Sequence, residues 1–95
     1  MCTYQTYNLP LTGSGKGPAS WSRLGSATVY FDHPVHAPSS HTLNIDFGVA
    51  GGDRGSRVAL ELEPGAAEAL ARSILEALEA APFELRRTAA LPTPR

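Results

Sequence analysis

All three histidines of the chain, His33, His36 and His41, fall between positions 33 and 41 of 95 residues. Neutral imidazoles bind zinc, copper, iron or nickel, and three protein ligands with an open fourth position make the usual catalytic zinc arrangement. The pattern His33-x2-His36-x4-His41 therefore marks candidate ligands for a divalent transition metal such as zinc. Pro34 and Pro38 stiffen the intervening loop and lower the entropy lost when ligands are ordered. Cys2, the lone cysteine, joins the ligand set if the first strand ends beside this loop. The spacing follows no established metal motif. A second chemistry makes His33 or His41 a general base in an apolar pocket, tuned by burial and a nearby carboxylate. The plainest reading has His33 and His41 capping the core through hydrogen bonds to loop carbonyls, with His36 exposed. For Cys2 the plain reading is a small apolar residue at a strand end.

Two alternating segments position the histidines. Residues 27–33 place Val29 and Phe31 on one face, and residues 41–47 place Leu43, Ile45 and Phe47 there. Folding this hairpin symmetrically about Ala37 sets Val29 opposite Ile45 and Phe31 opposite Leu43. The same parity sets His33 opposite His41 at the end of the apolar face, with His36 overhead. Tyr30, Asp32, Asn44, Asp46 and Glu61 line the other face, which is either solvated or a polar dimer interface; carboxylates gathered there could also do acid-base work.

Around the hairpin, Thr- and Tyr-rich residues 3–9 predict a strand that Pro10 ends, and residues 12–20 read as a loop on their glycines and Pro18. The run G-S-G-K-G at 13–17 lacks the Ser or Thr after lysine and the following helix that a phosphate-binding loop requires. Trp21, Arg23 and Leu24 open a short strand that Gly25 breaks. Residues 57–63, R-V-A-L-E-L-E, alternate as a further strand. Pro64 then suits the first turn of a helix whose apolar stripe runs Ala67, Leu70, Ala71, Ile74, Leu78 and Ala81. Pro82 ends it, and Phe83 and Leu85 fold back on the core. The expected architecture is α+β: an antiparallel sheet of four to five strands with one C-terminal amphipathic helix packed on one face. Residues 1–87 form a single domain and 88–95 a flexible tail.

Composition excludes several function classes. Eight Lys and Arg are scattered and the formal net charge is -1, so no basic stripe for nucleic acid exists. No run of about 18 apolar residues and no signal-peptide pattern occurs, so neither a membrane partner nor secretion is expected. A single cysteine fits a reducing compartment, with the cytoplasm as default. A chain this small buries a modest fraction of its surface, which favours a homodimer.

The segments M-C-T-Y-Q, V-Y-F-D-H-P-V-H-A-P-S-S-H-T-L-N-I-D-F and R-V-A-L-E-L resemble a family of short actinobacterial proteins, a domain of unknown function, over residues 1–81. The resemblance implies a soluble bacterial protein and carries over no activity, substrate or ligand. Two functions follow from the residues: a small protein with a transition-metal or catalytic site in its three-histidine loop, or a metal-free module that binds a small molecule or dimerises. Whether it is an enzyme stays open at this level.

Overall fold

The computed structural model describes residues 5–52 and 57–90, with side chains through Arg86. Residues 3 and 4, where the expected first strand begins, lie outside that range. Four strands, β1 (Thr6–Lys16), β2 (Trp21–Asp32), β3 (Thr42–Val49) and β4 (Val58–Leu62), precede two helices, α1 (Pro64–Ala80) and α2 (Phe83–Ala90). The strands form an antiparallel meander in the order β1-β2-β3-β4.

The central hairpin has the register its hydrophobic pattern requires. Val29 pairs with Ile45 and Phe31 with Leu43, and the ladder ends at Asp32 opposite Thr42. A slip of one residue would turn every apolar side chain to the opposite face, which is why the pattern alone selects this pairing. One face carries Leu9, Ala27, Val29, Phe31, Ile45, Phe47 and Leu60; the other carries Thr28, Tyr30, Asn44, Asp46 and Glu61.

The first hairpin departs from expectation. β1 runs through Pro10 and the glycines to Lys16, pairing Pro10 with Ser26 and Lys16 with Trp21, and the register shifts between Pro10 and Gly13. Pro10 is tolerated because β1 is an edge strand, where one side of the backbone needs no partner. The expected loop over 12–20 shrinks to a tight turn in which the Gly17 N–H donates to the Ser20 carbonyl at 2.8 Å. Likewise Gly25 does not break β2. It lies at a second register shift, between Leu24 and Ser26, beside Ala50, whose N–H donates to the Arg23 carbonyl at 2.8 Å. Glycine is a poor strand former by propensity, yet it is the residue a bulge accepts most readily, and the paired neighbours on both sides outweigh the local preference.

Pro64 opens α1 as expected, and an exposed Glu68–Arg72 ion pair at 2.7 Å bridges successive turns. Residues 83–90 form α2, which takes in the first three residues of the expected tail: the Arg86 N–H donates to the Pro82 carbonyl at 3.0 Å, so Pro82 ends one helix and starts the next. The Arg86 guanidinium lies 5.7 Å from the Phe83 ring centre. No described helix is long and apolar enough to cross a membrane. The chain divides into two compact units, Met1–Pro64 and Gly65–Arg95.

Burial within the sheet is uneven. Among the described residues Ala27, at 4% exposure, is the one buried apolar side chain, whereas the polar Thr42 and Asn44 are buried at 0% and 5%. The Thr42 hydroxyl donates to Asn44 Oδ1 at 2.7 Å, so neither burial is unpaid in hydrogen bonds. The β3–β4 connection begins with a turn closed by the Gly52 N–H and the Val49 carbonyl at 3.0 Å, and its third residue, Gly51, has a φ of 75°. A Cβ at that φ is strained whatever the space around it. Gly51→Ala is therefore expected to lower unfolding free energy by about 1 kcal/mol in chemical denaturation. Gly13→Ala, where a Cβ would meet nothing within 4 Å, should cost less.

Candidate functional site

The polar face of the sheet supplies a row of chemistry-bearing residues in register. Tyr30, Asn44 and Glu61 lie side by side across β2, β3 and β4, and Thr28, Asp46 and Ala59 form the next row. Arg57 follows the same alternation just before β4, and its Nη1 lies 2.9 Å from Asp46 Oδ2. The Tyr30 hydroxyl also points at that oxygen, a weak bond at 3.4 Å. Partial burial, and then the charge and hydrogen bond of Asp46, raise the Tyr30 phenol above its ordinary value, with Arg57 opposing.

Glu61 reaches from this face to the backbone of the 33–41 loop. Its Oε2 accepts the Val35 N–H at 2.6 Å, and its Oε1 accepts those of His36 and Ala37 at 2.9 and 2.8 Å. Two more carboxylates hold the same loop: Glu63 Oε2 accepts the Ser39 hydroxyl at 3.1 Å, and Asp32 Oδ1 accepts the His33 N–H at 2.7 Å. The backbone bonds from Val35, Ala37 and His36 hold the Glu61 carboxyl below the usual carboxylate range. Between loop and sheet lies a cavity of about 280 Å³ lined by Tyr30, His33, Val35, His36, Asn44, Asp46, Arg57, Ala59, Leu60 and Glu61.

The histidines divide into a pair and a single residue. His33 and His41 face each other just past the last ladder pair, with ring centres 4.4 Å apart and planes tilted by 37°, as the hairpin parity predicts. His41 also stacks on Phe31 of the apolar face, with centres 5.6 Å apart and planes at 11°. His33 Nδ1 is 3.0 Å from the Ser40 carbonyl, which can only accept, so Nδ1 carries the proton and Nε2 is the basic nitrogen of the neutral ring. This bond to a loop carbonyl is the one the plain capping reading anticipates. His36 is exposed and lines the cavity, its backbone fixed by Glu61. Cys2 lies outside the described residues. Among the described residues, no group of three or more His, Cys, Asp or Glu side chains is placed to hold a metal ion.

The alternation of the sequence puts Tyr30, Asp32, Asn44, Asp46 and Glu61 on one face and Arg57 on the polar side of its strand, but it gives neither the ion pair of Arg57 with Asp46 nor the use to which Glu61 is put. No local pattern could have found a carboxylate binding backbone 24 to 26 positions away.

Because the Glu61 carboxyl is held low in the folded protein, its contribution is present above the unfolded-state value and is lost as pH falls through the folded one. The amide proton shifts of Val35, His36 and Ala37 should therefore titrate together, with one midpoint below that of an ordinary glutamate. Glu61→Gln should abolish the shared transition, and a midpoint at or above the ordinary value would contradict the assignment.

No curated protein matches the chain, and no solved structure does. A family model matches residues 1–87, a range that takes in the whole sheet, the histidine loop, Glu61 and α1. The chain belongs to that family, DUF6295, a family of unknown function.

Proposed function

We propose that the chain is a non-enzymatic module that binds a small polar molecule on the polar face of its sheet. The observation that carries this reading is the cavity of about 280 Å³ beneath a loop pinned by Glu61, near the lower end of small-molecule site volumes. Donors and acceptors of both signs converge there: the Arg57 guanidinium, the Asp46 carboxylate, the Tyr30 phenol and the His36 ring. Arg57 spends one nitrogen on Asp46 and has a half-exposed side chain, which leaves planar N–H donors for a ligand carboxylate or carbonyl. Ligand-observed NMR against a panel of small carboxylic, hydroxy and amino acids tests it. Binding by at least one class, weakened about tenfold or more in Arg57→Gln, is the expected result. No binding by any class, or equal binding by the variant, overturns it.

A metal-binding reading draws on the His33–His41 pair. A ring whose Nδ1–H is fixed by a carbonyl presents Nε2 in the manner of metal-bound histidines. Zinc or a similar divalent ion would take these two rings with further ligands from His36 or Cys2. Elemental analysis of purified protein checks it: stoichiometric metal that is lost in His41→Ala supports this reading, and its absence from the wild type removes it.

Self-association is a further reading, supported by large apolar side chains left in solvent. In the sheet, Tyr7, Leu9 and Val58 are 59%, 41% and 46% exposed, and in α1 the stripe residues Leu70, Ile74 and Leu78 are 44%, 52% and 43% exposed.

A further inference from the structure

We propose that β4 is the edge through which two copies of this chain associate, pairing antiparallel about a twofold axis at Leu60 and joining two four-stranded sheets into one. This inference rests on the self-association reading and adds a surface and a register to it. A meander has two edges, and each presents a row of backbone N–H and C=O groups that templates pairing with another chain. The two edges here are unlike. β1 carries Pro10, which has no N–H, and a register shift between Pro10 and Gly13, and both features blunt an edge. β4 carries neither proline nor glycine, and its pairing with β3 runs without a shift from Val58 to Leu62. Among the described residues no strand lies on its outer side.

The residues around β4 read R-V-A-L-E-L-E, from Arg57 to Glu63, and are self-complementary about Leu60. Antiparallel pairing on that centre sets Leu60 against its own copy and Val58 against Leu62 of the second copy, which continues the apolar face across the junction. On the polar face it sets Arg57 against Glu63 of the second copy at both ends, two opposite-charge pairs. Ala59 falls opposite Glu61, and so small a neighbour leaves the Glu61 carboxylate on the loop amides it already binds. Neighbouring registers are worse. A centre on Glu61 sets two glutamates face to face, and a centre on Ala59 sets Arg57 against a Glu61 already engaged and leaves Leu62 beyond the paired strand. Arg57 pairs with Asp46 through one nitrogen and Glu63 accepts the Ser39 hydroxyl through one oxygen, whereas both Glu61 oxygens are bound; the Arg57 side chain is half exposed and Glu63 is exposed, so each can also meet a second chain.

Sedimentation equilibrium on the wild type, with site-directed crosslinking, tests the proposal. In a Cys2→Ser background, Leu60→Cys is expected to give a covalent dimer with a short bis-maleimide, which adds one thiol at each end, because cross-strand Cβ atoms at the axis lie roughly 4.5 to 5.5 Å apart. Tyr7→Cys, on the exposed face of β1, is expected to give far less. Glu63→Arg, which brings like charges together at both ends, is expected to weaken the wild-type dimer about tenfold. A wild type that is monomeric at every concentration overturns both this interface and self-association. A dimer that Leu60→Cys does not crosslink overturns the β4 interface and leaves self-association standing. If Leu60→Cys does not fold, Glu63→Arg decides, and an unchanged dissociation constant overturns the interface.

Discussion

The Glu61 carboxylate, collecting three consecutive loop amides, is the constraint on which the site depends. Within the loop 33–41 the N–H groups of Val35, His36 and Ala37 find their partner in this one carboxylate rather than in another loop group. Charge-assisted bonds to a carboxylate are shorter and stronger than neutral ones, and the 2.6 Å bond from Val35 is of that kind. Glu63 and Asp32 extend the arrangement, so three acidic side chains set the path of one loop. In β3 the buried residues are Thr42 and Asn44, on the polar face, rather than the leucine and isoleucine between and beyond them.

The two faces of the sheet thus take different parts. The polar face, with Tyr30, Asp46 and Arg57 bonded in a chain, has a concave volume open to solvent and groups of both signs. The apolar face keeps Leu9 and Val58 substantially exposed. A domain near ten kilodaltons gains little from its own core, so leaving an edge and an apolar face for other surfaces is consistent with how small chains reach stability.

Much of the fold was legible because the hydrophobic alternation is strong where it matters. The period of two in 27–33 and 41–47 sets the hairpin register, and that register alone brings His33 and His41 together. Pro64 and Pro82 likewise bracket α1 through their backbone chemistry. What was illegible was non-local. Gly13, Gly15 and Gly25 read as breaks, yet a paired neighbour makes them strand and bulge. α2 follows a proline that ends one helix and begins another, two uses of one residue that sequence does not separate. The role of Glu61 is the clearest case, since alternation assigns it a face and says nothing of what reaches down to it.

Amide hydrogen exchange at neutral pH, comparing wild type with Glu61→Ala, tests the central claim most directly. The account predicts that Val35, His36 and Ala37 lose protection in the variant while the Leu43 to Phe47 amides of β3 keep theirs. Unchanged protection of the three loop amides would contradict it.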